Sequence, residues 1–282
     1  MHRREFAAGL LLLAVVPAGR PQTVSTPVRY DGRLFDGHLH LNWENGFRLP
    51  VDEAFALMRA HGVTTILATS RPNDGTHALV ERGAPGVRVV PFLRPYRVRG
   101  DVQTWFTDRT TLALLDDEFK RGYYVGLGEF HLSGEAAATE VVRRTVTFAR
   151  RHGLWLHAHV DDAALEILFR HDPGARIIWA HTGFSTPSEK IAAYLREHPN
   201  LVGELSYRTG IVGDVGKLTP EWHRLFEAFP ERFIIGSDTW TPQRWTVYGA
   251  LMDGYRAWLG QLPRSIADRI GHGNGERLFT PR

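Results

Sequence analysis

Short apolar runs alternate with longer amphipathic segments along most of the chain. From residue 33 onward, eight runs rich in Val, Ile and Leu predict β-strands, because each is brief and is bounded by Gly, Pro or polar residues. The strand candidates are RLFDGHLH, VTTILATS, VRVVPFLRP, YYVGLGEFH, LWLHAHV, ARIIWAHTG, NLVGELSYR and RFIIGSDTW. Segments between them, such as VDEAFALMRAHG and DDAALEILFRHD, show helical spacing and end at Gly or just before Pro, as helices do.

Strands that alternate with helices predict a parallel sheet in a protein of the α/β class. Eight strand–helix units in about 250 residues match the size of a closed (β/α)₈ barrel. An open doubly wound sheet is the alternative, but the glycine-rich phosphate turn is missing after the first strand. We therefore predict a single (β/α)₈ TIM barrel over residues 33–282.

The beginning of the chain follows a different pattern. MHRREFAAGLLLLAVVPAG starts with basic residues, continues with an apolar run and ends with small residues, which is the layout of a secretory signal peptide. Arg3 and Arg4 partly match a twin-arginine export signal. The apolar run is too short to span a bilayer comfortably, so we expect no permanent membrane span. The sequence predicts a signal peptide over 1–20, a linker over 21–32 and export to a bacterial periplasm.

Composition narrows the class of protein further. The apolar fraction is 43% and the charged fraction is 23%, which is ordinary for a globular protein. The net charge is +3, and its cations are almost all Arg, spread through helices and loops rather than gathered in one stretch. We therefore expect no nucleic-acid partner. Because Cys is absent, disulfides, thiolate nucleophiles and cysteine-ligated zinc are excluded.

Histidines and carboxylates fall at the carboxyl ends of five predicted strands. Residues two apart on a strand point to the same side, so His38 and His40 direct two imidazoles to one place. The later strands end in Glu129 and His131, His157 and His159, His181, and Asp238. Barrel enzymes carry their chemistry at this end of the strands. Imidazole nitrogens and carboxylate oxygens bind divalent metals, and buried polar groups are costly unless paired or bound, so the pattern predicts a metal site.

These motifs resemble those of the amidohydrolase superfamily of metal-dependent barrel hydrolases. DGHLH, GLGEFH, LHAHVDD, WAHTG and IIGSDTW occur in the order and spacing of that family. The ending GHGNGERLF is similar to that of its amidohydrolase-related branch, which includes lactonases, other hydrolases and non-oxidative decarboxylases. The resemblance extends over about residues 33 to 280 and implies the same barrel fold.

The resemblance implies roles for the residues at the strand ends. His38, His40 and Asp238 would bind the more buried metal. Glu129 would be the strand-four ligand that bridges two metals, where many relatives use a carbamylated lysine. No Lys lies near the end of this strand, and the GLGE motif resembles the glutamate-bridged branch that includes TatD-type deoxyribonucleases.

The resemblance also implies a second set of ligands. His159 and His181 would hold a second metal, or would orient the substrate if one metal binds. His157 shares a strand face with His159, and the position of His159 nearer the strand end favours it as the ligand. His157 is then interpreted as a supporting residue in substrate binding.

Further residues at the strand ends are candidates for substrate contacts. Arg94 and Arg208 suit bidentate capture of a carboxylate or phosphate, although a surface position accounts equally well for either arginine. His131 shares a face with Glu129 and is a candidate ligand or substrate contact. Glu204 is interpreted as a member of a buried ion pair.

Loops after the strands are expected to set the choice of substrate. SRPNDGTH is one predicted loop, and SYRTGIVGDVGKLTP is another. Three tryptophans, Trp43, Trp240 and Trp245, are expected around the mouth of the site and suggest an apolar or aromatic substrate. Aromatic side chains that cover the barrel core explain the same residues equally well.

The predicted reaction is metal-dependent hydrolysis of an ester, lactone, amide or phosphoester of a small molecule. A divalent ion activates water and polarises the carbonyl or phosphoryl group that it faces. Asp238 would accept the proton of the water, and His181 would ligate the ion or stabilise the developing oxyanion. Zinc is the first choice of metal and manganese the second, with one or two ions per chain.

Two other functions are weighed against hydrolysis. A decarboxylase of the same superfamily would use one metal, and Glu129 argues against it because a bridging carboxylate has little purpose with a single ion. An exported solute-binding protein without turnover is the other alternative. A nuclease is disfavoured because the sequence has no basic stripe.

Overall fold

The computed structural model describes residues 28–43, 46 and 48–280. The predicted signal peptide, and most of the predicted linker, lie outside the described residues. Within the described part of the chain, no helix combines the length and the apolar character needed to cross a membrane.

Eight parallel strands form a nearly closed barrel, which confirms the predicted fold. The strands are hydrogen-bonded in chain order, and each pairs in parallel with the next. They are β1 Leu34–Leu39, β2 Val63–Ala68, β3 Arg88–Leu93, β4 Gly126–Leu132, β5 Trp155–Val160, β6 Ile177–Trp179, β7 Leu201–Glu204 and β8 Phe233–Ile234.

A close backbone contact joins the first strand to the end of the last. The N–H of Gly37 donates to the carbonyl of Ile235 at 2.8 Å. A Cβ atom at Gly37 would lie 2.6 Å from Cδ1 of Ile234 and 2.9 Å from O of Ile235, so the approach requires glycine. This contact brings the ends of β1 and β8 together, where His38 and Asp238 lie.

Helices surround the barrel. They are α1 Val51–Ala60, α2 Asp74–Arg82, α3 Thr110–Phe119, α4 Glu140–Arg151, α5 Asp162–His171, α6 Ser188–Glu197, α7 Pro220–Ala228, α8 Pro242–Thr246, α9 Tyr248–Leu259, α10 Arg264–Asp268 and α11 Asn274–Phe279. Helix α2 begins inside SRPNDGTH, which the sequence predicted to be a loop. Few apolar residues mark this helix, and its stability comes from tertiary contacts that bury Thr76, His77 and Leu79.

The core has two layers. Side chains from seven of the strands fill the barrel interior, whereas the larger layer lies between the strands and the helices. Phe279 of α11 closes the bottom of the barrel, with its ring centroid 6.0 Å from that of Phe35 and 5.7 Å from that of Phe92. The apolar lower half leaves the upper half of the interior for polar side chains.

Irregular pairing determines which side chains enter that upper half. The register of β1 against β2 shifts between Asp36 and Leu39, and that of β4 against β5 shifts between Gly128 and Phe130. Such irregularities re-aim side chains near active sites. Leu39 and Phe130 consequently pack in the outer layer, while the neighbouring polar residues face inward.

Candidate metal centre

The predicted ligands come together at the carboxyl ends of the strands. His38 lies near the end of β1, Glu129 lies in β4, and His159 lies near the end of β5. His181 lies in a 3₁₀ turn, Ala180–Gly183, directly after β6, and Asp238 follows β8. The backbone at these last two residues is left-handed, with φ of 57° at His181 and 47° at Asp238. Non-glycine residues adopt this conformation at an energetic cost, and they are concentrated at functional sites.

A first donor group consists of His38, His40 and Asp238 with atom Oε2 of Glu129. The Nε2 atoms of the two histidines are 3.0 Å apart. Oδ1 of Asp238 is 3.5 Å from Nε2 of His38 and 3.1 Å from Nε2 of His40. Oε2 of Glu129 is 3.5 Å and 3.3 Å from the same two nitrogens. Four candidate ligand atoms therefore converge on one point in the interior.

A second donor group shares Glu129 with the first. Its other oxygen, Oε1, is 2.9 Å from Nδ1 of His159 and 3.7 Å from Nε2 of His181. Nε2 of His131 is 3.8 Å from the same oxygen. The two oxygens of one carboxylate thus face two separate sets of imidazoles.

The outer nitrogens of the histidines show that their inner nitrogens are free to bind a cation. Nδ1 of His38 is 2.9 Å from Oε2 of Glu204, and Nδ1 of His181 is 2.8 Å from the Ser206 carbonyl. Carboxylate and carbonyl oxygens only accept, so each Nδ1 carries the hydrogen. Each Nε2 is then the nitrogen that faces the centre, where a bound cation would take the place of a proton, and this is the arrangement that partners of metal-ligating histidines produce.

The charge of the centre also fits a divalent cation. Burial would lower the pKa of His38, but three surrounding carboxylates hold it well above its usual value. These are Asp238, Glu129 and Glu204. Burial would raise the pKa of Glu204, yet His38 and its hydrogen bond lower it to about 2. Buried carboxylates that stay ionised around converging lone pairs create the negative potential that a divalent ion neutralises.

Glu129 and Asp238 remain ionised for a similar reason. Burial would raise the pKa of Glu129, but the neighbouring imidazoles of His131 and His38 and hydrogen bonds from His159 and His181 hold it well below its usual value. Burial would also raise the pKa of Asp238, and His38 and His40 hold it below its usual value. Both carboxylates are therefore available as ligands at neutral pH.

Glu204 forms the buried ion pair that the sequence suggested. It is fully buried, and its partner is His38. The N–H of Ser206 donates to Oε1 of Glu204, and the Ser206 hydroxyl donates to Oε2 at 2.8 Å. The sequence signal was a carboxylate at the end of a strand, but only the fold identifies its partner.

Arg94 forms a buried ion pair with Glu129. Its Nη2 donates to Oε2 of Glu129 at 2.8 Å, and its Nε donates to the Glu129 carbonyl at 3.0 Å. Its Nη1 is 3.0 Å from Nδ1 of His40. The guanidinium is buried and also lines the cavity described below. Its ion-pair partner is the candidate ligand Glu129, whereas the sequence predicted a carboxylate or phosphate of the substrate.

Arg208 and His157 were predicted as substrate contacts, and the structure places both side chains against protein groups. The Arg208 guanidinium donates to the Thr186 carbonyl at 2.6 Å and lies over the Trp222 ring. His157 is fully buried against His38, with their ring centroids 4.4 Å apart. Among the described residues neither ring nitrogen of His157 has a hydrogen-bond partner.

A cavity of about 330 Å³ opens above the two donor groups. The predicted site residues that line it are Arg94, Glu129, His131, His159, His181 and Asp238. His38 and His40 lie beneath these residues with no exposed surface. The candidate metal centre is therefore the floor of a cavity open to solvent.

Three aromatic residues, here called the aromatic rim, line the upper part of the cavity. They are Phe184, Tyr207 and Trp240, which are 38%, 42% and 40% exposed. The indole N–H of Trp240 donates to the Tyr207 hydroxyl at 3.1 Å. Trp245 differs from the prediction, because it is buried and stacks on Tyr248 away from the cavity.

An eight-stranded parallel barrel with imidazoles and carboxylates converging at its strand ends defines a barrel enzyme of the metal-dependent class. A family model described as Amidohydrolase matches residues 75–280. The chain therefore belongs to the amidohydrolase family, and it is an enzyme of that superfamily, a metal-dependent hydrolase or decarboxylase. The match begins after His38 and His40, so the assignment of these two residues as candidate ligands depends on the geometry of the site.

Solved structures have the same fold. An amidohydrolase from Burkholderia multivorans with bound Zn is 19% identical, with a TM-score of 0.58 over 87% of this chain and 98% of that chain. A putative 2-pyrone-4,6-dicarboxylic acid hydrolase from Pseudomonas putida is 16% identical, with a TM-score of 0.59 over 88% of this chain and 97% of that chain. No curated protein matches the sequence. At these identities the likeness concerns the fold.

Proposed function

We propose that this enzyme hydrolyses an ester, lactone, amide or phosphoester bond of a small molecule at a site for two divalent ions. The observation that carries the proposal is the placement of Glu129, whose two carboxylate oxygens face different donor groups. A carboxylate placed in this way serves two ions, whereas decarboxylation at a single ion gives it no bridging function.

Each donor group would hold one ion. His38, His40 and Asp238 would bind the first, and His159 and His181 would bind the second. When bound, a divalent ion lowers the pKa of water and polarises the carbonyl or phosphoryl oxygen that it faces. Zinc suits these nitrogen and oxygen donors best, and manganese is the alternative.

Asp238 is the residue we assign to proton transfer. Its Oδ1 faces the first donor group, while its Oδ2 is 3.9 Å from Nε2 of His181 and borders the cavity. An ionised carboxylate at this position accepts a proton from the attacking water and passes it to the leaving group. His181, beside it, would hold the second ion next to the negative charge that develops on the substrate oxygen.

The cavity supports a small substrate with an apolar part. Its volume of about 330 Å³ is near the lower end of ligand pockets. The aromatic rim offers flat apolar surfaces beside charged groups on the floor. We therefore propose a substrate whose reactive group reaches the floor while an aromatic or other apolar group contacts the rim.

The test is a metal and activity measurement on the full chain. Elemental analysis should give close to two ions per chain after loading with zinc. A panel of esters, lactones, amides and phosphoesters should contain a substrate, and Asp238→Asn should abolish its turnover. About one ion per chain, together with release of carbon dioxide from aromatic carboxylates, would establish the decarboxylase instead. Ligand binding that persists in Asp238→Asn, with no turnover of any panel member, would indicate a solute-binding protein.

We also propose that residues 1–20 direct export to the periplasm and that the catalytic domain begins near residue 33. The support is the order of basic, apolar and small residues at the start of the chain. Expression in a bacterial host followed by mass spectrometry of the periplasmic fraction tests it. A cytoplasmic protein of full mass would contradict the proposal.

A further inference from the structure

His131 differs from the neighbouring histidines in the hydrogen bond that fixes its ring. The outer nitrogens of His38 and His181 each lie within 2.9 Å of a carboxylate or carbonyl oxygen, which only accepts, and the nearby Ser206 hydroxyl uses its hydrogen to donate to Glu204. Nδ1 of His131 instead lies 3.1 Å from the hydroxyl of Tyr96, which is able both to donate and to accept. The position of the ring hydrogen on His131 therefore depends on whether the Tyr96 hydroxyl donates to Nδ1 or accepts from it.

The surroundings of Tyr96 settle the direction of this bond. The backbone N–H of His131 donates to the Tyr96 oxygen at 2.7 Å. Tyr96 is fully buried, and His131 Nδ1 is the acceptor within reach of its hydroxyl hydrogen among the described residues. A buried hydroxyl hydrogen without an acceptor is energetically costly. The hydroxyl therefore donates to Nδ1, which must be unprotonated, and the hydrogen of the ring lies on Nε2.

The remaining N–H of His131 faces the cavity. The His131 side chain lines the cavity beside His159, with the two ring centroids 4.2 Å apart. Oε1 of Glu129 is 3.8 Å from Nε2, which is beyond hydrogen-bond distance. Among the described residues this N–H has no hydrogen-bond acceptor. The Trp105 indole donates to the His131 carbonyl at 3.0 Å, so the backbone of this residue is held on two sides.

We propose that His131 donates a hydrogen bond from Nε2 to an oxygen of the substrate, and that Tyr96 is the positioning residue that fixes this tautomer. The partner is a carbonyl or phosphoryl oxygen, whose charge increases as water attacks. Glu129, His131 and His159 lie close enough together to hold a metal, but an Nε2 that carries hydrogen has no lone pair for one. His131 is thus separate from the two donor groups. The substrate part of this inference rests on the proposed function, whereas the tautomer does not.

The tautomer is tested by long-range ¹H–¹⁵N spectra of the full chain labelled with ¹⁵N-histidine. The His131 signals are identified by their loss in both His131→Gln and His131→Asn. They should show a protonated Nε2 and an unprotonated Nδ1, with no change on addition of Zn²⁺. Tyr96→Phe should move them toward a mixture of tautomers. A protonated Nδ1 in the unsubstituted chain, or a zinc-dependent shift of Nε2, would overturn the inference.

The role in catalysis is tested with two substitutions at the same position. His131→Ala should lower kcat about a hundredfold, as loss of one oxyanion donor does, with zinc content unchanged. His131→Gln retains an N–H and should recover part of kcat, whereas His131→Met, which is of similar size but has no N–H, should not. Loss of zinc in both variants would make His131 a ligand and contradict the inference. A chain that binds no zinc and turns over no substrate would contradict the proposed function, while the spectra would still report the tautomer.

Discussion

Nδ1 of His38 lies 2.9 Å from Oε2 of Glu204, and both side chains are fully buried. This contact places a hydrogen of the imidazole on Nδ1 and turns Nε2 toward the other members of the first donor group. Carboxylates that support metal-ligating histidines in this way strengthen metal binding about 10- to 100-fold. Glu204 therefore orients a candidate ligand.

Glu204→Gln should weaken zinc binding by that factor, because the amide keeps the shape of the side chain but loses its charge. Competition with a chromophoric chelator measures the affinity. Glu227→Gln, on the exposed surface of α7, is the matched control and should bind zinc as the unsubstituted chain does. Equal affinities for all three proteins would show that the ion pair does not orient the histidine.

Arg94→Met should destabilise the metal-free chain by about 3 kcal/mol, because it leaves the Glu129 carboxylate buried without its cation. The free energy of unfolding in urea measures the effect. Arg97→Met removes a partly exposed arginine of the same loop, which pairs with Asp101 and Asp108, and should cost no more than about 1 kcal/mol. If the free energy of unfolding falls by the same amount in both variants, the buried ion pair of Arg94 stabilises the fold no more than the partly exposed ion pairs of Arg97.

Removal of metal should lower the melting temperature. A ligand at a hundred times its dissociation constant stabilises the folded state by about 2.7 kcal/mol. Thermal unfolding followed with zinc and with a chelator tests this for the full chain. In a His38→Ala/His40→Ala double variant, the difference between the two conditions should become much smaller. A zinc effect of undiminished size in that variant would locate the stabilising ion elsewhere.

Trp240→Ala should change KM, whereas Trp245→Ala should change stability. Trp240 belongs to the aromatic rim, so its loss should raise KM for an aromatic substrate several-fold and leave stability nearly unchanged. Trp245 is buried and stacked on Tyr248, so its loss should cost about 3–5 kcal/mol of stability. Steady-state kinetics and urea unfolding of both variants measure the two effects. An unchanged KM in Trp240→Ala would remove the rim from the substrate site.

The barrel and the meeting of the ligands were predictable from the sequence for one physical reason. Parallel strands present their carboxyl ends on one side of a barrel, so polar residues at those ends must approach one another. His38, Glu129 and Asp238 are brought together in this way although they are far apart in the chain.

Directions of long side chains in loops were not predictable in the same way. Arg94 and Arg208 both follow strands, yet the first turns inward to Glu129 and the second packs over Trp222. The path of the loop and the position of the partner decide between these outcomes, and neither is encoded in local spacing. The tautomer of His131 likewise depends on Tyr96, a residue from another strand end.

Asn274, in the terminal GHGNGERLF motif, should contribute to stability rather than to chemistry. Its buried amide donates to the carbonyl of Phe233 at 2.8 Å and to that of Pro230 at 2.9 Å, which fastens α11 to the beginning of β8. Asn274→Ala leaves both carbonyls without this donor and should cost about 2 kcal/mol in urea unfolding. Zinc content should remain that of the unsubstituted chain, because the amide lies at the opposite end of the barrel from the metal centre.

Asn200→Ala is the control variant. It removes an exposed amide that donates to the Gly174 carbonyl, and it should change stability by less than about 0.5 kcal/mol. Loss of zinc without loss of stability in Asn274→Ala would contradict this assignment.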